Sequence, residues 1–98
     1  MKIEFKPKAQ DDLSQIWDYT CQQWGTVQAE TYIRDIWHAI ESLKSSYNPS
    51  QNIDFVRAGY CKIQSGSHVI FFKQTSDIIT VIRILHQQMD IAKHLPNS

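Results

Sequence analysis

Four basic side chains in the second half of the chain have the chemistry to cleave a phosphodiester bond: Arg57, Lys62, Arg83 and His86. Such cleavage needs a base for the attacking hydroxyl, cations for the phosphorane and an acid for the leaving oxygen. Arg83 and His86 are three positions apart, so on a regular strand they point to opposite faces. Arg57 and Lys62 are five apart and also oppose each other, unless Gly59 hosts a bulge. The spacing therefore predicts no shared catalytic centre.

Acidic and basic side chains balance in this chain. Ten Lys and Arg residues stand against ten Asp and Glu residues, and the sequence pI is about 6.9. Proteins that bind the phosphates of nucleic acids usually carry a basic excess. The balance therefore argues against nucleic acid as the main partner, and we expect no direct sequence-specific binding to it.

The sequence indicates no metal, nucleotide or disulfide site. His68 and His86 are expected to approach each other across a hairpin, but two histidines alone make a poor metal site. Cys21 and Cys61 are far apart and are expected to be reduced, half-buried thiols. The three glycines form no nucleotide-binding fingerprint, so no cofactor is predicted.

The first half of the chain predicts a short strand followed by two helices. Apolar and charged residues alternate over 2–6, which is the period of a half-buried strand. Apolar residues then recur at helical spacing over 9–24 and again over 27–47. Between the helices, Gly25 is expected to adopt a positive φ, and Thr26 to cap the second helix. Three tryptophans are expected in or beside the core: Trp17, Trp24 and Trp37.

The second half predicts three strands, over 56–64, 69–72 and 78–85. The last two are separated only by a short polar segment, which indicates an antiparallel hairpin. The order β-α-α-β-β-β predicts an α+β fold, with a helical hairpin packed on one face of a small, mainly antiparallel sheet. We expect the other face of the sheet to be partly open. The chain should form one domain over 1–98, with a frayed tail at 95–98.

The sequence also bears on location. No run approaches the roughly 20 apolar residues that a membrane span requires. The N-terminal segment lacks the apolar stretch of a signal peptide. We therefore expect a cytoplasmic protein with no membrane partner.

Several motifs resemble those of one family. They are A-x-x-D-L at Ala9–Leu13, D-x-V-R-x-G-Y at Asp54–Tyr60, G-S-H-V-I-F-F at Gly66–Phe72 and V-I-R-I-L-H-x-x-M-D at Val81–Asp90. In combination they resemble the ParE toxins of bacterial toxin–antitoxin modules, within the RelE/ParE superfamily. The resemblance implies a toxin that poisons DNA gyrase and is held inactive by an antitoxin. RelE-type members of the same superfamily instead cleave messenger RNA on the ribosome.

The predicted mode of action is binding rather than catalysis, because the basic residues do not share a face. The expected antitoxin partner presents an amphipathic helix and an extended segment. Two alternatives remain open: a ribosome-dependent messenger RNA endonuclease, and a decayed toxin that retains only antitoxin binding. The candidate partner-binding residues lie in the second half of the chain: Arg57, Tyr60, Lys62, Arg83, His86, Met89 and Asp90.

Overall fold

The computed structural model describes residues 1–45 and 47–96, and it confirms the α+β fold. The elements in chain order are β1 (Lys2–Phe5), α1 (Pro7–Trp24), α2 (Thr26–Ser42), β2 (Gln51–Asn52), β3 (Cys61–Ser65), β4 (His68–Gln74), β5 (Ile78–His86) and α3 (Ile91–His94). The five strands form one sheet in the order β1-β5-β4-β3-β2. Only the β1–β5 pair is parallel, so the sheet is mainly antiparallel.

The helical hairpin forms as its sequence predicts. Pro7 is the first residue of α1, where its missing N–H costs no hydrogen bond. Gly25 ends that helix with φ +91°, a conformation that glycine adopts without a Cβ penalty. Thr26, however, is the first residue of α2 rather than its cap, and the cap position is held by Gly25. The prediction of a Thr26 cap is therefore wrong.

The β4–β5 hairpin is confirmed, and it contains an irregularity that the sequence did not predict. Phe71 pairs with Arg83, whereas Phe72 pairs with Val81. Ile82 is thus an extra residue on β5, which defines a β-bulge. The bulge changes which side chains share a face on either side of it. Alternation along β5 is consequently broken beside Arg83.

The helices cover one face of the sheet, as predicted. Buried residues of α1, α2, β4 and β5 form the main core there: Ala9, Ile16, Ile36, Ile40, Ile70, Val81 and Ile84. α1 and α2 therefore each place an apolar stripe on the sheet, which is the arrangement that stabilises an amphipathic helix in a small domain.

The opposite face of the sheet is partly open, as predicted, beside β3, where Lys62, Gln64 and Val69 line a cleft, but much of the rest of it is covered. A second apolar cluster lies there: Ile53, Tyr60, Phe71, Ile82, Leu85 and Leu95. The loop between β2 and β3 and the C-terminal segment supply the covering side chains. The tail is consequently packed as far as Leu95, which is buried rather than frayed, while positions 97 and 98 lie outside the described residues.

Two element boundaries and one short additional strand differ from the sequence-based prediction. α2 ends at Ser42, well before Tyr47, which is 91% exposed; position 46 lies outside the described residues. The strand predicted over 56–64 begins only at Cys61, because the preceding residues form turns. A two-residue strand, β2, pairs with the start of β3 within a segment expected to be a connector.

The tryptophans divide between the core margin and the surface. Trp37 is partly exposed and packs against Phe5 with ring centroids 5.1 Å apart, and Trp17 is half-buried. Trp24 is 71% exposed, so its predicted place in or beside the core is wrong. It is the last residue of α1. None of the described helices is long and apolar enough to cross a membrane.

Candidate functional site

A buried ion pair joins α1 to the bulged part of β5. The Arg83 guanidinium donates to both carboxylate oxygens of Asp12, from Nε at 2.8 Å and from Nη2 at 2.9 Å. Asp12 also accepts the backbone N–H of Ile84 at 2.9 Å. This two-pronged contact, reinforced by the attraction of the carboxylate, raises the pKa of Arg83, although burial opposes the rise. Arg83 is therefore a charge already neutralised within the fold.

Asp12 supplies a hydrogen-bond acceptor to the edge of β5 at a point that β1 does not reach. The Lys6 N–H donates to the Val81 carbonyl at 2.9 Å, and the chain then leaves the sheet at Pro7 to start α1. Further along this edge of β5, the Ile84 N–H would lack a strand partner. The Asp12 carboxylate supplies the acceptor, because Asp12 lies one turn into α1 and only 8% of it is exposed.

Two arginines hold the C-terminal helix against the body of the protein. Arg57 donates from Nη2 to the Ala92 carbonyl at 3.1 Å, and Arg83 donates from Nη1 to the His94 carbonyl at 3.2 Å. Carbonyls at a helix C-terminus carry partial negative charge and lack helical partners, so cations are favourable there. Asp90 caps the other end of α3 by accepting the Ala92 N–H at 3.0 Å.

A cross-strand histidine pair lies at the far end of the hairpin. His68 pairs directly with His86 in the sheet, and their rings meet edge to face at 5.5 Å, which confirms their predicted approach. The Tyr32 hydroxyl accepts a hydrogen bond from the Ser67 N–H at 2.9 Å. We assign the same hydroxyl as the donor to Nδ1 of His68, 2.6 Å away. Gly66 permits this close approach, since a Cβ there would lie 2.8 Å from the Tyr32 ring.

A groove made of two adjoining pockets, which share Tyr19, His68 and His86, lies over the histidine pair, between the C-terminal half of α1 and the end of β5. We call it the histidine groove and define it by six side chains: Tyr19, Trp24, Tyr32, His68, His86 and Met89. Tyr19 is 64% exposed, and Trp24 and Met89 also present apolar surface to solvent. Exposed aromatic and Met side chains around a polar centre are typical of a protein-binding surface.

The seven sequence-predicted residues do not form one site. Arg83, His86 and Met89 line the histidine groove or its end. Arg57 and Asp90 lie at the two ends of α3, where both make internal contacts. Their roles in partner binding, like those of the other exposed residues, stay predictions.

Lys62 and Tyr60 lie elsewhere. Lys62 lines a separate cleft beside β2, together with Gln51 and Gln64. Tyr60 is fully buried: its hydroxyl donates to the Pro96 carbonyl at 3.3 Å, and the Lys73 ammonium lies 4.7 Å from its ring centre. Its side chain does not reach the surface in this structure, and its role in partner binding stays a prediction.

Sequence reasoning missed Asp12 and Tyr32. A signal for Asp12 was present, because it lies three residues after Ala9 and four before Ile16, on the buried stripe of α1. A carboxylate on the buried side of a helix needs a partner that pairs with its charge. Tyr32 carried no comparable signal, since its contact with His68 depends on how α2 lies over the β3–β4 turn.

A family model described as ParE toxin of type II toxin-antitoxin system, parDE, matches residues 3–91. This chain belongs to the ParE toxin family. It is 41% identical over 90 residues to Toxin ParE1 of Mycobacterium tuberculosis (strain ATCC 25618 / H37Rv), covering 91% of this chain and 92% of the relative. Toxin ParE1 of Caulobacter vibrioides is 39% identical over 88 residues, covering 90% and 91%.

The ParE fold is also found among solved structures. The chromosomal ParDE TA system from P. aeruginosa contains a chain that matches with a TM-score of 0.69 and 22% identity, covering 88% of this chain and 95% of that one. At this identity the likeness concerns the fold alone. This ParE chain is thus a toxin of a type II toxin–antitoxin system with a RelE/ParE-like fold.

The histidine pair of this ParE toxin gives a prediction about pH. Burial lowers the pKa of His68 below 6.5, and repulsion from His86 lowers it further. The attraction of Asp12 opposes this shift. When folding lowers the pKa of a histidine, the folded protein is most stable at a pH above the pKa that the histidine has in the unfolded chain. That stability is lost as the pH falls through the pKa that it has in the folded protein. We expect replacement of His86 by Gln to raise the pKa of His68, measured by NMR titration of the imidazole.

The matched control for this titration is His38→Gln, which changes an exposed histidine of α2 that does not line the groove. It should leave the titration of His68 unchanged. A His68 imidazole that titrates at or above its ordinary value in the wild-type toxin would contradict the prediction.

Proposed function

We propose that this ParE toxin acts by binding: it inhibits DNA gyrase, and a cognate antitoxin neutralises it. Gyrase acts on chromosomal DNA, so the proposal places the toxin in the cytoplasm. The histidine groove is the surface assigned to the target, because it gathers the exposed aromatic side chains Tyr19 and Trp24 around one cleft. Aromatic side chains of this kind often contribute most of the free energy of a protein interface.

One observation carries the choice of binding over catalysis: Arg83 is neutralised by Asp12 and also bonded to α3. Transition-state stabilisation of a phosphorane needs cations aimed at the reacting phosphate. Arg57 is likewise directed to a helix carbonyl, and Lys62 lines a different cleft. Of the four basic side chains that could serve a nuclease, both arginines are thus engaged in internal contacts and Lys62 lies apart, while His86 lines the histidine groove together with Arg83.

The test uses purified toxin and gyrase with relaxed and supercoiled plasmid. We expect loss of supercoiling and accumulation of linear DNA after protein denaturation. Tyr19→Ala should weaken the inhibition by about tenfold, the effect of losing roughly 1.4 kcal/mol at an interface. Tyr47→Ala is the matched control, because Tyr47 is exposed but lies outside the groove. It should inhibit like the wild type.

Three outcomes would count against this function. The absence of both inhibition and linear DNA over a wide toxin range would remove gyrase as the target. Defined cuts in messenger RNA on programmed ribosomes, abolished by Arg83→Ala, would establish the endonuclease instead. Unimpaired growth on expression without the antitoxin would favour the decayed toxin.

A further inference from the structure

An open cleft of about 550 Å³ lies on the other side of Arg83 from the histidine groove. It is bounded by the end of β1, the start of α1 and the C-terminal segment. Its rim carries the basic side chains Lys6, Lys8, Lys93 and His94, and its floor is formed by Ile82 and Leu95. We call it the basic cleft. Of its lining residues, Arg83 and His94 also line one of the two pockets that form the histidine groove.

The charge of the basic cleft is not balanced locally. Within residues 1–45 and 47–96, no Asp or Glu lines it. Lys6, Lys8 and Lys93 are exposed, and within residues 1–45 and 47–96 none of them forms an ion pair. Arg83, which also lines the cleft, forms an ion pair with Asp12, so the Asp12 carboxylate does not neutralise the lysines. A chain of zero net charge thus concentrates free positive charge at one place.

The start of α1 adds to this charge. Pro7 and Lys8 are the first two residues of an 18-residue helix, and both line the cleft. The N-terminus of a helix carries a partial positive charge that favours anions. No acidic residue occupies the first turn, where one would commonly compensate the helix dipole.

The floor of the cleft distinguishes between two kinds of anionic partner. Ile82 and Leu95 are buried members of the second core cluster, only 6% and 5% exposed, so they close the bottom of the cleft with their edges. The exposed Pro7 and Pro96 add apolar surface to its lining. A phosphodiester backbone would use the lysines but would gain nothing from an apolar floor. A peptide with carboxylates on both sides of one apolar side chain would use both features.

We propose that the basic cleft binds an acidic segment of a partner protein. Carboxylates of the segment pair with Lys6, Lys8 and Lys93, and one apolar side chain packs on Ile82 and Leu95. The interaction is reversible and electrostatically steered, so it weakens as salt increases. It concerns a surface outside the one assigned to gyrase, and its failure would leave the gyrase proposal intact.

The experiment uses the full chain labelled with ¹⁵N and three probes. The first is the capped peptide Glu-Glu-Leu-Glu-Glu, the second has Ser in place of Leu, and the third is a short single-stranded thymidine oligonucleotide. We expect the first peptide to shift the amide signals of Lys8, Lys93 and Leu95. The Ser peptide should bind about fivefold more weakly, because it lacks the side chain that covers the floor.

Charge variants test the rim. The double variant Lys8→Gln and Lys93→Gln should weaken binding of the first peptide by about tenfold, since it removes two of the three free lysines. Lys44→Gln is the control, because Lys44 is an exposed lysine outside the cleft whose ammonium pairs with Glu41 at 3.2 Å. It should bind the peptide like the wild type.

Three results would overturn the inference. One is the absence of shifts at Lys8, Lys93 and Leu95 at millimolar peptide. Another is equal weakening by Lys44→Gln, which would indicate general attraction rather than a site. The third is tighter binding of the oligonucleotide through the same lysines, which would make this a nucleic-acid contact.

Discussion

Replacement of Asp12 by Ala is expected to lower the free energy of unfolding by about 3–5 kcal/mol, the usual cost of removing one partner from a buried ion pair. The variant leaves the Arg83 guanidinium without its carboxylate in a site where only 15% of the side chain is exposed. It also leaves the Ile84 N–H without an acceptor. Chemical denaturation followed by tryptophan fluorescence measures the change.

Asp11→Ala is the matched control for this variant. Asp11 is the neighbouring carboxylate on α1, and it is exposed. Its loss should change the free energy of unfolding by no more than about 0.5 kcal/mol. An Asp12→Ala midpoint equal to that of Asp11→Ala would contradict the role assigned to the ion pair.

A double-mutant cycle separates the pair from its surroundings. With Arg83→Met in the background, Asp12→Ala no longer strands a buried cation, so it should cost less than it does alone. The loss of unfolding free energy that remains in this background then measures the effect of removing the acceptor of the Ile84 N–H. Purely additive effects would mean that the two side chains are not coupled.

Replacement of Tyr60 by Ala is the second change with a large expected effect. The ring is fully buried in the cluster on the face of the sheet opposite the helices, so truncation should cost about 3–5 kcal/mol. Tyr60→Phe removes only the hydroxyl that donates to the Pro96 carbonyl and should cost about 1 kcal/mol. Thermal and chemical unfolding of both variants measure these effects.

Phe55→Ala is the control for Tyr60→Ala, because Phe55 belongs to the same loop and is 85% exposed. It should unfold close to the wild type. If Tyr60→Ala were as stable as Phe55→Ala, the loop between β2 and β3 would not be packed on the sheet. This face of the sheet would then be open beyond the part beside β3.

The sequence by itself determined the elements whose signals are local. The alternation over 2–6, the helical stripe of α1 and the polar interruption of the β4–β5 hairpin each report which side of one element is buried. Gly25 likewise marked the helix junction through its own backbone. Such patterns depend on neighbouring residues only, so a linear chain displays them. The motifs also indicated the family, which the comparisons confirm.

Only the tertiary structure decided which distant groups meet. Asp12 and Arg83 are 71 residues apart, and their contact depends on where β1 ends and on the bulge at Ile82. The β2–β3 loop is irregular, so its sequence did not show that it would fold back to bury Tyr60 beside Leu95. A bulge or a loop path is fixed by the packing of the whole domain, which no single periodicity encodes. For that reason the sequence predicted the helical hairpin and most of the sheet, whereas only the structure shows how Arg83 is neutralised and how the second face of the sheet is covered.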